Sequence, residues 1–158
     1  MTDVVIAGIG QTPVGEHWEL SLRNLSARAI LAALKDAGGL KPQALYVGNF
    51  LGSVMSHQAN LGALINENIS LGGVESFTTE AAGASGAAAL RMGYLAVASG
   101  YVDTAVVCGV EKLTDQLGAG PEAAMAQGMD YDFEAVPGMS TSAQAALLMR
   151  RYMHEYNM

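Results

Sequence analysis

The stretch TTEAAGASGAAALRMGYLAVASG, from Thr78 to Gly100, decides the fold. It predicts a polar strand, then a turn of small residues at Ala82–Gly86, then a helix with almost no charge. This order places the turn at the N-terminus of a buried helix, where the backbone carries partial positive charge. A reactive side chain is expected there, yet the turn contains no cysteine and Gly83 stands in its middle. We use the name catalytic elbow for a turn that places a nucleophilic side chain at the N-terminus of a helix. The turn at Ala82–Gly86 is therefore either such an elbow without its nucleophile or a plain tight turn.

An alternating pattern of strands and helices extends on both sides of this stretch. The order β-α-β-α-β-α-β predicts an α/β fold with a mainly parallel sheet and helices on both faces. Its most polar strand is expected to lie at a sheet edge, and its last helix is expected to be buried on every side. The predicted strands are Val4–Ile9, Ala44–Phe50, Glu75–Glu80 and Thr104–Val110, and the predicted helices are Ser21–Ala37, Gln58–Glu67 and Ala84–Ser99.

The character of the sequence changes after Thr114. We expect residues 1–114 to form the α/β domain and residues 115–158 to form a second region. This region consists of a predicted loop at 115–139 and an amphipathic helix at 140–157. The loop contains five acidic and no basic residues, and it is long for a simple connection. It is therefore expected to be functional or to pack on a partner.

Composition and charge exclude several classes of protein. Of the 158 residues, 51% are hydrophobic and only 15% charged, which indicates a chain that packs against a partner or belongs to a larger body. The net charge is −7 and the eight basic residues are scattered, so we expect no nucleic-acid partner. The N-terminus has no signal-peptide pattern, and Arg91 interrupts the one long apolar stretch. A cytoplasmic protein that does not enter the membrane is predicted.

The titratable side chains suited to metal binding are sparse. Cys108 is the single cysteine, which excludes a disulfide within the chain and a multi-cysteine metal site. It lies in an apolar strand and is predicted to be a buried structural thiol. His17, His57 and His154 have no metal-ligand spacing, so no metal is expected.

Three stretches carry a specific resemblance to a known family. They are YVGNFLGSVMSHQANLGALI (Tyr46–Ile65), TEAAGASGAAALRMGYLAVASGYVDTAVVCGVEKLTD (Thr79–Asp115) and MDYDFEAVPGMSTSAQAALLMRRYMHEY (Met129–Tyr156). Together they resemble the thiolases, and in particular the branch of sterol-carrier-protein-2-type and archaeal acetyl-CoA acetyltransferases. The resemblance implies a layered α-β-α-β-α body of two similar halves. This chain would be the N-terminal half with the start of the loop domain.

The resemblance gives Gly83 a specific meaning. In thiolases this position holds the nucleophilic cysteine, which carries the acyl group as a thioester between two coenzyme A molecules. The implied function is that of an acetyl-CoA C-acyltransferase in lipid metabolism, with a coenzyme A thioester as substrate and no bound cofactor. Glycine keeps the backbone N–H as an oxyanion-binding element but cannot form the thioester. The chain also contains none of the motifs of the family's second half, so we expect it to be inactive alone.

Other candidate residues carry weaker signals. His57 lies in a segment that is near the active site and dimer region in thiolases. Met125, Met129 and Met139 could line an acyl pocket, because methionine fits irregular apolar shapes, but filling of a core or interface is the favoured alternative. Glu111–Lys112 matches the family signature, and a structural ion pair or cap is the favoured interpretation.

The implied partners and the alternative functions depend on the same resemblance. We expect a homodimer or homotetramer, paired through the strand Glu75–Glu80, with acyl-CoA or coenzyme A as ligand. A second polypeptide could supply the C-terminal half. One alternative is a thiolase-fold aldolase that cleaves carbon–carbon bonds of acyl-CoA thioesters with a partner subunit and needs no cysteine. Another is a non-catalytic thiolase-like subunit.

Overall fold

The computed structural model describes residues 3–158, which divide after Asp115 into two compact units. The first unit contains a three-stranded sheet and four helices, and the second contains short helical turns followed by a long helix. The strands are β1 (Ala44–Gly48), β2 (Glu75–Thr79) and β3 (Ala105–Gly109). The helices are α1 (Leu22–Asp36), α2 (Gly52–Met55), α3 (Leu61–Asn68), α4 (Ser85–Ala98), α5 (Gly120–Met125) and α6 (Thr141–Glu155).

The sheet is parallel throughout, with the order β2-β1-β3. All five residues of β1 are buried, as expected of a central strand that is covered on both faces. The polar strand β2 lies at an edge, which confirms the prediction. In register, Gly48 lies opposite Thr79 on one side and Gly109 on the other, so the carboxyl ends of the three strands meet at one edge.

Helices cover both faces of this sheet, which confirms the predicted fold class. Helices α1 and α3 pack on one face, and α4 packs on the other. Helix α1 begins after Ser21, whose Oγ accepts a hydrogen bond from the Asn24 N–H at 3.3 Å. It ends before Gly38, which adopts a left-handed φ of 71°. The core on the α1 and α3 side is formed by Leu22, Ile30, Leu45, Val47, Leu61, Ile65 and Cys108.

The prediction of a strand at Val4–Ile9 is wrong. This segment forms no strand, and the side chains of Val5, Ile6 and Ile9 are exposed. A strand exists only where a neighbour pairs with it, and no segment within residues 3–158 pairs with this one. Gly8 instead packs its backbone onto α1, where a Cβ would lie 2.5 Å from the Ala37 nitrogen.

Helix α4 is not buried on every side, contrary to the prediction. Its inward face packs against the sheet, where Ala89 and Gly93 are buried. Leu90, Tyr94 and Leu95 on its outer face are exposed. Nothing among the described residues covers that face, so this mostly apolar helix is buried on one side only. No helix within residues 3–158 combines the length and apolar composition that crossing a membrane requires.

The second unit contains more regular structure than a continuous loop. Within the segment predicted as a loop, α5 is followed by a 3₁₀ turn at Ala126–Gly128 and a π-helical turn at Tyr131–Ala135. Helix α6 then begins after Ser140, whose Oγ accepts the Ala143 N–H at 3.1 Å. Its apolar stripe is exposed and comprises Leu148, Met149, Tyr152, Met153 and Tyr156.

Candidate functional site

The N-terminus of α4 lies against the carboxyl edge of the sheet. Glycines make this close approach possible. A Cβ on Gly48 would lie 2.7 Å from the Gly86 Cα and from the Ser85 carbonyl carbon, which no real side chain tolerates. A Cβ on Gly109 would lie 3.7 Å from the same Gly86 Cα. The turn at Ala82–Gly86 therefore lies on the ends of β1 and β3, where α/β proteins commonly bind ligands.

The bend of the chain is concentrated at Ala82, just before Gly83. Ala82 has a φ of 45°, in the left-handed region that residues with a side chain seldom adopt. Its backbone N–H donates to the Oε1 of Glu80. On the other side, the Ser85 Oγ accepts the Ala81 N–H at 3.0 Å and donates to the Ala82 carbonyl oxygen at 2.7 Å. Two side chains thus hold the backbone immediately upstream of Gly83.

Gly83 itself does not need to be a glycine. It lies within a 3₁₀ turn, Ala82–Ala84, and its φ is outside the left-handed region. A Cβ at Gly83 would meet no atom within 4 Å. A side chain at this position would fit without strain and would stand at the start of α4. The backbone therefore has the form of a catalytic elbow, with the demanding conformation placed one residue earlier.

A partly buried hydrogen-bond network lies at the same edge of the sheet. The Glu111 carboxylate accepts the backbone N–H groups of Phe50 and Leu51 at 3.0 and 2.9 Å, and the Asn49 Nδ2 at 3.0 Å. Asn49 is buried and also binds the Val110 carbonyl and the Gly52 N–H. Glu111 therefore acts as a cap for the turn before α2. Sequence reasoning left this open between cap and ion pair.

Lys112 forms a separate, buried contact. Its Nζ donates to the Leu20 carbonyl oxygen and pairs with the Asp115 carboxylate, both at 2.5 Å. Glu111 and Lys112 therefore serve different partners and do not pair with each other. Cys108 is buried in β3 as predicted, and burial raises the pKa of its thiol to about 11, against a smaller lowering by a hydrogen bond with Ser26. A thiol with this pKa is inert near neutral pH.

The weaker candidates belong to different parts of the chain. His57 is exposed, has a φ of 51°, and makes no hydrogen bond to the elbow within the described chain. Met125, Met129 and Met139 are half-buried and all belong to the second unit. Their assignment to an acyl pocket stays a prediction.

Neither of two cavities in the first unit is lined by Gly83 or His57. One, of about 180 Å³, is lined in part by His17, Leu25 and Lys112, and the other, of about 440 Å³, lies beside α3 and β2. Residues 3–158 contain no group of three or more His, Cys, Asp or Glu side chains that could hold a metal ion. The elbow is therefore the feature that the structure offers for chemistry.

Comparison with known proteins identifies related sequences. A family model described as thiolase, N-terminal domain, matches residues 4–158. An acetyl-CoA acetyltransferase of Methanothermobacter thermautotrophicus is 40% identical over 158 residues, which cover 99% of this chain and 41% of the relative. An acetyl-CoA acetyltransferase of Methanocaldococcus jannaschii is 40% identical over 160 residues, which cover all of this chain and 40% of the relative. The chain thus spans about two fifths of the length of these curated relatives.

Proposed function

Because this chain belongs to the thiolase family, we propose that it provides the acyl-binding elbow of an acetyl-CoA C-acyltransferase-type enzyme, at a site that lacks its nucleophile. The observation that carries this proposal is the geometry at Gly83. A side chain would fit there without strain, yet the residue is glycine. The first turn of α4 supplies the positive end of a helix dipole there. A thioester oxygen placed at this end would be stabilised by backbone N–H groups.

The chemistry at Gly83 is limited by its side chain. Covalent acyl transfer requires a thiolate that attacks the thioester carbon while coenzyme A leaves with the electron pair. Glycine has no sulfur, so this step does not occur at position 83. The chain also has no Lys or Arg between Leu113 and Met149, so the phosphates of coenzyme A must be held elsewhere. We propose that the chain alone does not transfer acyl groups.

A second candidate is favoured by the same observation. An aldolase of thiolase fold would use the elbow to bind a thioester oxygen and would cleave a carbon–carbon bond without a covalent thioester. The intact N–H of Gly83 and its missing sulfur suit that reaction better than acyl transfer. Incubation of a 3-hydroxyacyl-CoA with the chain and the partner subunit that this reaction requires tests it, since retro-aldol cleavage releases a shorter acyl-CoA and a carbonyl compound.

Assembly and setting form a further part of this proposal. We place the protein in lipid metabolism in the cytoplasm, as two copies joined through β2. The outer edge of β2 has no strand partner within residues 3–158, and β2 is too short and polar to aggregate freely. The residues Ser76–Thr79 of this strand are half-buried and so stay partly exposed in the single chain.

The acyl-transfer proposal is tested by restoring the sulfur. We expect Gly83→Cys to become acylated by acetyl-CoA, detected by intact mass as a hydroxylamine-labile acetyl adduct, whereas the parent chain is not acylated. We expect no acylation of Cys108, because it is buried and its pKa is about 11. Gly86→Cys is the matched control, since that position is also open but lies one turn further along. Acylation of the parent, or equal acylation of both variants, would contradict the proposal.

A further inference from the structure

Two side chains next to Gly83 accept hydrogen bonds, and neither of them caps α4. Glu80 accepts the Ala82 N–H, and Ser85 accepts the Ala81 N–H. The N-cap position of α4, Ala84, has no side-chain hydrogen bond, and neither has the 3₁₀ turn before it. Most helices use such acceptors to satisfy their first N–H groups. Here both acceptors act upstream of Gly83 and leave the first turn of α4 without a side-chain cap.

The conformation of Ala82 sets the direction of the Gly83 N–H. The peptide bond between the two residues is planar, so the φ and ψ of Ala82 orient the whole unit that carries this N–H. A left-handed conformation is unfavourable for alanine and persists only where its surroundings hold it. The Glu80 carboxylate supplies one such restraint through the Ala82 N–H. The Ser85 hydroxyl supplies the other through the Ala82 carbonyl oxygen at 2.7 Å.

The two restraints differ in their surroundings. Ser85 is buried, whereas Glu80 is exposed. Replacement of Ser85 would therefore disturb packing as well as the bend. Replacement of Glu80 changes only an exposed side chain and its bond to Ala82, which makes Glu80 the residue whose role can be isolated.

From this geometry, and resting on the function proposed above, we propose that Glu80 is a positioning residue for the elbow. Its carboxylate holds Ala82 in the left-handed conformation and so orients the backbone N–H and any side chain at position 83. Glu80 does not touch the acyl group in this role. It acts through the peptide unit between Ala82 and Gly83.

A carboxylate this close to the site also has a direct electrostatic effect, which must be separated from positioning. A negative charge raises the pKa of a neighbouring thiol, so its removal alone would lower that pKa. Loss of the hydrogen bond has the opposite effect, because a misplaced thiol loses the stabilisation given by the start of the helix. Glutamine and alanine both remove the charge, and glutamine alone keeps an acceptor oxygen for the Ala82 N–H.

The experiment measures the thiol pKa at position 83 in the Gly83→Cys chain, from the pH dependence of iodoacetamide alkylation. It compares Glu80→Gln with Glu80→Ala in that background, and Glu67→Ala, an exposed residue of α3, controls for net charge. We expect the pKa in Glu80→Ala to exceed that in Glu80→Gln by at least about half a unit, or roughly threefold slower alkylation at pH 7. Circular dichroism confirms folding, and Glu80→Met replaces the alanine variant where that one unfolds.

The outcomes separate this proposal from the one on which it rests. Equal pKa values in the glutamine and alanine variants would overturn the positioning role of Glu80, even with a depressed pKa in the Gly83→Cys parent. A parent thiol with an ordinary pKa of about 8.5 in a folded chain would instead count against the proposed nucleophile position itself. A depressed parent pKa together with the expected difference supports both.

Discussion

The substitution Gly83→Ala tests whether position 83 tolerates a side chain or whether the turn requires glycine there. The φ of Gly83 is outside the left-handed region and a Cβ would meet no atom within 4 Å. Alanine at such a position restricts the unfolded chain without straining the folded one, and stabilises by about 0.4–1 kcal/mol. With a urea dependence of about 2 kcal/mol per M, the midpoint should rise by roughly 0.2–0.5 M.

Gly48→Ala is the matched control for this experiment. A Cβ there would lie 2.7 Å from the Gly86 Cα, so the strand end and the helix must separate. Such overpacking costs about 1–3 kcal/mol, and the urea midpoint should fall by roughly 0.5–1.5 M. Both variants are followed by far-ultraviolet circular dichroism in the same buffer. If Gly83→Ala destabilised the chain by about 1 kcal/mol or more, Gly83 would be a structural turn glycine and the elbow interpretation would be refuted.

The remaining predictions concern pH and assembly. Burial, with a hydrogen bond to Glu75, raises the pKa of Tyr46 from 10.0 to about 12, so the folded chain holds this proton more tightly than the unfolded chain. The resulting stabilisation is complete below pH 10 and is lost as the pH rises through 12, by about 3 kcal/mol. We expect urea midpoints to fall more steeply over this range than in Tyr46→Phe, and equal slopes would contradict the assignment. Light scattering should give twice the chain mass if β2 pairs two copies, and a folded monomer would exclude that pairing.

The sequence predicts those elements whose signals are local. Helix α1 has a serine cap at Ser21 and a glycine stop at Gly38, and its observed bounds differ from the predicted ones by one residue at each end. The apolar runs around β1 and β3 predict buried strands, because a parallel strand covered on both faces has no polar positions. The resemblance to thiolases, carried by motifs, is likewise confirmed by the comparisons.

Signals that depend on a distant neighbour are not contained in the local pattern. Val4–Ile9 has the composition of a strand, but composition does not provide the partner that a strand requires, and the segment stays unpaired. The same holds for α4. The apolar residues of its outer face predict burial, but they do not indicate which segment or partner would cover them. The bond between Asn49 and Glu111 joins residues 62 positions apart, and only the register of β1 against β3 brings them together.

In the turn before α4, the residue with the unusual backbone conformation is not the one that the sequence indicates. The sequence predicts a turn with Gly83 at its centre, and glycine suggests that this residue carries the unusual conformation. The structure places the left-handed φ at Ala82 instead, where no sequence signal indicates it, since alanine seldom adopts that conformation. Because Ala82 is held by Glu80 and Ser85, the bend does not depend on which residue follows. Position 83 can therefore carry glycine or a residue with a side chain while the turn keeps its conformation, as the proposal of a nucleophile position requires.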